Sequence, residues 1–141
     1  VLKLADFMPY RLSIASNAVS ERVAAVYQAR FGLKVPEWRV LAVVAERGRA
    51  TQAALVDSTQ MDKMTVSRAA TALVERGLLA RTRAGDRRTL ELSLTPEGSA
   101  LHGEIAPLAL AIEAELLAGF TVTERRQLME LLRRLEACAR S

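Results

Sequence analysis

One short stretch constrains the fold of this chain more than any other. In Thr89-Leu-Glu-Leu-Ser-Leu94, leucine alternates with polar residues. That two-residue beat gives one apolar and one wet face only if the stretch is extended, so residues 89–94 are expected to form a half-buried strand. Leu78–Thr82 can pair with it, with Arg83-Ala-Gly-Asp86 turning the chain between them. Arg81, Arg83, Arg87 and Arg88 crowd this hairpin against the single Asp86, so most of the chain's net charge of +4 falls within ten residues. A charge run alone marks a solvated face, and its position in the fold has to decide whether it does more.

The rest of the sequence repeats at three and four residues, as helices do. Leu12, Ala15, Val19, Val23, Val26 and Tyr27 stripe a first helix over residues 9–31, ended by Gly32. Pro36 opens a second, with Trp38, Leu41, Val44 and Ala45 inward and Gly48 as its terminator. Thr51 caps a short third helix reaching about Ser58, and Asp62 caps a fourth from Lys63 to Arg76, closed by Gly77. The fourth carries Val66, Ala69, Ala70, Leu73 and Val74 on its inner face. Thr95-Pro96 starts a fifth helix toward Phe120, striped by Ile105, Leu108, Ile112 and Leu116, with Pro107 predicting a kink near Gly103. Thr121 and Glu124 have capping-box spacing and open a last helix through Leu128, Leu131, Leu132 and Leu135.

The expected fold is therefore mostly α with a small β-hairpin wing. Its 141 residues suit one chain with one proper core. Half the residues are hydrophobic and a quarter charged, which is ordinary for a folded protein and excludes a disordered one. No apolar run approaches the roughly 20 residues of a membrane span, no signal-peptide pattern opens the chain, and the lone Cys138 fits a reducing compartment; a soluble cytoplasmic protein without membrane partners is expected. The chain starts at Val1 rather than Met, which leaves room for residues before it. With one histidine, one cysteine and no glycine-rich phosphate loop, neither a metal site nor a cofactor site is expected, and an enzyme is not. The first and last two helices have long apolar stripes with no evident partner in the central block, and the same helices of a second copy are the economical cover.

The middle of the chain reads helix, short helix, turn, helix, hairpin. In a helix-turn-helix the second helix enters the major groove with its N-terminal residues toward the base edges. Lys63, Thr65, Ser67, Arg68 and Thr71 gather in the first two and a half turns after Asp62, opposite the apolar stripe. Lysine and arginine reach guanine or phosphate, and hydroxyls reach either. Thr51 and Gln52, where the third helix begins, offer backbone N–H groups to a phosphate. Any amphipathic surface helix has such a polar face; the hairpin is what adds specificity. An arginine on a projecting loop can enter a narrow minor groove, where negative potential concentrates. Asp86 would repel phosphate there, yet two residues from Arg88 it can accept from the guanidinium and hold it extended.

These residues carry a family resemblance. Asp86-Arg-Arg88-Thr-Leu-Glu-Leu92-Ser-Leu94-Thr95-Pro-Glu-Gly98 resembles the wing signature D-x-R-x-x-x-L-x-L-T-x-x-G of the MarR (multiple antibiotic resistance regulator) family at every fixed position. Asp62-Lys-Met-Thr-Val-Ser-Arg68 followed by Leu73-Val-Glu-Arg-Gly-Leu78 is similar to its recognition helix and exit, and Gly32-Leu33, Pro36 and Trp38 to Leu41 to its second-helix entry. The resemblance spans essentially the whole chain. It implies a winged helix-turn-helix over residues 36–96, flanked by dimerisation helices in 1–35 and 97–141. It further implies a homodimer on pseudo-palindromic double-stranded DNA, acting as a repressor and released by a small ligand, an aromatic acid or a coenzyme A thioester. Asp86 and Arg88 then become the wing pair, with Arg83 and Arg87 beside them.

A pocket for that ligand is expected where the first, second and fifth helices meet, near Tyr10, Arg11, Asn17, Tyr27, Trp38 and Arg39. Trp38 reads first as a core residue and the two arginines as solvated. Peroxide-sensing relatives keep a cysteine near the N-terminus, whereas Cys138 lies near the other end and is expected to pack as a small hydrophobe. The competing reading from another class is a helical interaction module whose basic hairpin binds an acidic partner.

Overall fold

The computed structural model describes residues 1–83 and 89–141. The elements are α1 (Met8–Phe31), α2 (Val35–Arg47), β1 (Arg49–Thr51), α3 (Gln52–Thr59), α4 (Lys63–Glu75), β2 (Leu79–Arg83), β3 (Leu90–Leu94), α5 (Pro96–Leu116) and α6 (Val122–Arg140), with a 3₁₀ turn at Leu4–Asp6 ahead of them. Residues Val1–Ala109 form one compact unit and Leu110–Ser141 a second.

In the first unit the core lies among α2, α3 and α4. Val40, Leu41, Val44, Leu55, Val66, Ala70 and Leu73 are wholly buried. Each large aliphatic side chain so buried favours the fold by about 1.5–3 kcal/mol before the entropy cost. Ala24 and Tyr27 from α1, Leu79 and Leu92 from the sheet, and Ile105 from α5 close the same cluster. The guanidinium of Arg76, at the end of α4, donates to the carbonyls of Phe31 at 3.0 Å and Gly32 at 3.2 Å. It thereby satisfies carbonyls that the end of α1 would otherwise leave unpaired.

The hairpin expected from the sequence is part of a larger sheet. β3 lies in the centre, antiparallel to β2 on one side and to β1 on the other. β1 contributes only Arg49, Ala50 and Thr51, opposite Ser93, Leu92 and Glu91. Of the three alternating leucines, Leu92 is buried and Leu94 packs against the core, whereas Leu90 is 45% exposed. β1 pairs with β3 only at Glu91, Leu92 and Ser93, so Leu90 stands beyond the three-stranded part of the sheet.

α5 runs through Pro107 to Leu116, four residues short of Phe120, toward which it was expected to extend. Its start is fixed by Thr95. The hydroxyl donates to the Gly77 carbonyl at 2.6 Å and accepts from the Gly98 N–H at 3.0 Å, while the Thr95 N–H reaches the Leu78 carbonyl at 3.1 Å. Gly103 has open space where a Cβ would stand. Gly103→Ala is expected to raise stability by about 0.5–1 kcal/mol in denaturant unfolding, through helix propensity alone.

In the second unit, the reciprocal bonds Thr121 N–H to Glu124 Oε1 (2.8 Å) and Glu124 N–H to Thr121 Oγ1 (3.1 Å) form the expected capping box of α6. No residue of α6 is buried, although Leu128, Leu131 and Leu132 repeat along it. Cys138 is exposed, which corrects the expectation of a packed thiol within the chain.

Candidate nucleic-acid interface

α3 and α4 meet through a turn in which Gln60 takes the left-handed conformation, φ 56°, and its side-chain amide donates to the Asp57 carbonyl at 2.6 Å. Asp62 then caps α4: one carboxylate oxygen accepts the Thr65 N–H at 2.8 Å and the other the Thr65 hydroxyl at 3.0 Å. These bonds, the backbone one first, hold the Asp62 carboxyl below its ordinary range, and nearby Arg68 adds to the effect. A depressed carboxyl stabilises the fold fully above the unfolded value of about 3.9, and that contribution disappears as pH falls through the folded value. Asp62→Ala is therefore expected to lower the thermal midpoint at pH 7 and to narrow its difference from wild type below pH 4, with Asp62→Asn keeping most of the cap.

The cap changes what Thr65 can do. Its only hydroxyl proton is committed to Asp62, so it cannot donate to a phosphate in this arrangement. Thr51 differs: its oxygen accepts from the Ala54 N–H at 3.1 Å, which leaves its proton available. Gln52 stands beside it at the start of α3 and, with Ala53, Val56 and Lys63, lines a shallow groove between α3 and α4. Lys63 and Arg68 are exposed and Ser67 is half-buried. Thr71 is tied to the sheet, its oxygen accepting from Arg81 Nη2 at 3.0 Å. Arg83 is exposed at the end of β2. Asp86, Arg87 and Arg88, with the expected Asp86–Arg88 brace, lie outside the described residues.

Two residues of this surface, Met64 and Lys34, escaped the sequence reading, and Arg81 entered it without a role. Met64 is 62% exposed next to Lys63, out of phase with the buried stripe. An apolar side chain placed there can meet a thymine methyl. Lys34 is exposed and lines a cleft with Thr65 and Arg68. Arg81 was visible only as part of a charge run. The phase of Met64 against Val66, Ala69 and Ala70 was the one signal that could have marked it.

The six residues expected around a ligand converge only in part. Asn17 and Arg39 share a cleft of about 660 Å³ between α1 and α2 with Ser16, Ser20, Glu21 and Gln28. Arg39 Nη2 donates there to Ser20 Oγ at 3.4 Å, a long bond. Tyr27 is core, 2% exposed, and burial raises its phenol pKa, with Arg39 opposing the shift. Trp38 is half-buried, stacked between Tyr27 (5.5 Å between ring centres) and His102 (5.7 Å). Tyr10 and Arg11 are exposed near the start of α1 and do not line the cleft. Among the described residues no group of histidine, cysteine and acidic side chains could hold a metal ion, and no helix is long and apolar enough to cross a membrane.

Comparison with known proteins bears on this helix-turn-helix and its sheet. The MarR family model matches residues 31–89. The HTH-type transcriptional regulator YwoH of Bacillus subtilis is 31% identical over 103 residues, 73% of this chain and 75% of that protein. A probable transcriptional regulator from Pseudomonas aeruginosa is similar at 31% identity and TM-score 0.76, over 94% of this chain and 99% of the other. BpsR of Bordetella bronchiseptica, whose DNA binding is regulated by 6-hydroxynicotinic acid, superposes at TM-score 0.87 and 25% identity, over 96% and 97% of the two chains. These relatives are transcriptional regulators rather than enzymes. A capped α4 with a polar outer face, a small antiparallel sheet behind it, and relatives alike in both sequence and fold lead to one assignment: the chain belongs to the MarR family of winged-helix transcriptional regulators.

Proposed function

We propose that the chain acts as a homodimeric repressor. It binds pseudo-palindromic operator DNA through α4 and the β2–β3 wing, and releases it when an aromatic acid or a coenzyme A thioester binds. Residues 36–96 read the DNA, with residues 1–35 and 97–141 pairing the two copies. The observation that carries this reading is the division of α4 into two faces. Val66, Ala69, Ala70 and Leu73 are buried on one, while Lys63, Met64 and Arg68 stand exposed on the other. Such a helix can lie in a major groove without disturbing the core that holds it.

Support for a dimer comes from what the isolated chain leaves uncovered. Leu4, Phe7, Met8, Leu12, Ile14 and Val19 are exposed at the N-terminal end, and α6 buries nothing. Exposed large apolar side chains repeated along a helix are what an interface would cover. The ligand reading draws on the α1–α2 cleft, where Arg39 offers a fork of donors to a carboxylate, and on the regulation of BpsR by an aromatic acid.

The test is anisotropy of a labelled duplex bound at several salt concentrations, with mass measured by light scattering. Two protomers per duplex and an affinity that falls steeply with salt are expected. Aromatic acids and their thioesters should then release the DNA, and Arg39→Ala should raise the concentration they require. A monomer at micromolar concentration, or binding indifferent to salt, overturns the reading.

A further inference from the structure

We infer that Arg81 is a positioning residue for DNA binding, a strut between the wing and the recognition helix that acts through Thr71. The inference rests on the DNA-binding reading above. Arg81 sits on β2 opposite Leu92, the buried centre of β3. Its guanidinium leaves the sheet and donates to the Thr71 hydroxyl at 3.0 Å. Thr71 follows Lys63 and Ser67 at four-residue steps, so the bond lands on the face of α4 that carries the polar residues.

The place of this strut along the ribbon matters. β1 supports β3 only at Ser93, Leu92 and Glu91. At the Arg83–Leu90 pair β2 and β3 stand without β1, and a two-stranded pair twists readily. Arg81 lies one register step inside the point where the third strand ends. A planar fork fixed there sets the twist of the Arg83–Leu90 pair relative to α4. Thr71 accordingly serves as the anchor of the strut rather than as a base contact.

The test uses a duplex selected from random DNA by the wild-type protein. Arg81→Gln and Thr71→Val are each expected to weaken its binding roughly three- to tenfold, the net worth of one ordinary hydrogen bond. The double variant should bind no worse than either single one, because both remove the same bond. Thr71→Ser, which keeps the hydroxyl, should restore wild-type affinity. Neither single substitution should change the slope of affinity against salt. Wild-type affinity in Thr71→Val, additive losses in the double variant, or a slope reduced by about one ion in Arg81→Gln, the mark of a direct phosphate contact, would each overturn the strut. A wild-type protein that selects no sequence at all would instead defeat the DNA-binding reading beneath it.

Discussion

Gly98→Ala is expected to destabilise the protein by roughly 3 kcal/mol or more, a large share of a typical total of about 5–15 kcal/mol. Gly98 lies in the first turn of α5 and is buried. A Cβ there would meet the Leu78 carbonyl oxygen well inside contact distance and the Leu78 carbonyl carbon at 2.9 Å. Both are backbone atoms, so no rotamer change relieves the clash. Moving the helix away would stretch the bonds from Thr95 to Gly77 and Leu78, which fix the turn into β2. Urea unfolding measures the loss, with Gly103→Ala on the same helix as the control. A shared loss at both positions would point to a general effect on α5 rather than to this close approach.

The second large effect concerns α4. The double variant Lys63→Ala, Arg68→Ala is expected to weaken binding to a selected duplex by roughly a hundredfold or more, since each specific contact is worth about 1–3 kcal/mol. It should also flatten the salt dependence to the extent that these cations meet phosphates. Stability should change little, because both side chains are exposed and the core face of the helix is untouched. Direct titration at two salt concentrations, beside an unfolding curve, separates a lost contact from a lost fold.

How far the sequence reached is clear from particular residues. Helix starts were legible because caps are local: Thr51, Asp62 and Thr121 each accept the N–H three residues on. The buried face of α4 was legible because its period is a property of the helix itself. β1 was not, since three residues cannot show a two-residue beat and Arg49–Thr51 are extended by pairing with β3. Leu90 is exposed beyond the reach of β1, a matter of sheet pairing that no local pattern encodes. In α1, Leu12 and Val19 belong to the stripe for which the sequence offered no partner in the central block, and both are exposed in the single chain. Side-chain bonds across elements were the least legible. Nothing in the sequence ties Arg81 to Thr71, ten residues back, or commits the Thr65 hydroxyl to a cap.

The central claim is that two copies of α4 read one DNA site. Selection of bound duplexes from random DNA tests it most directly. Two inverted half-sites whose centres lie about 10 base pairs, one helical turn, apart are expected. Enrichment should vanish with the Lys63→Ala, Arg68→Ala variant. A single undivided half-site, or no enrichment over random sequence, would contradict it.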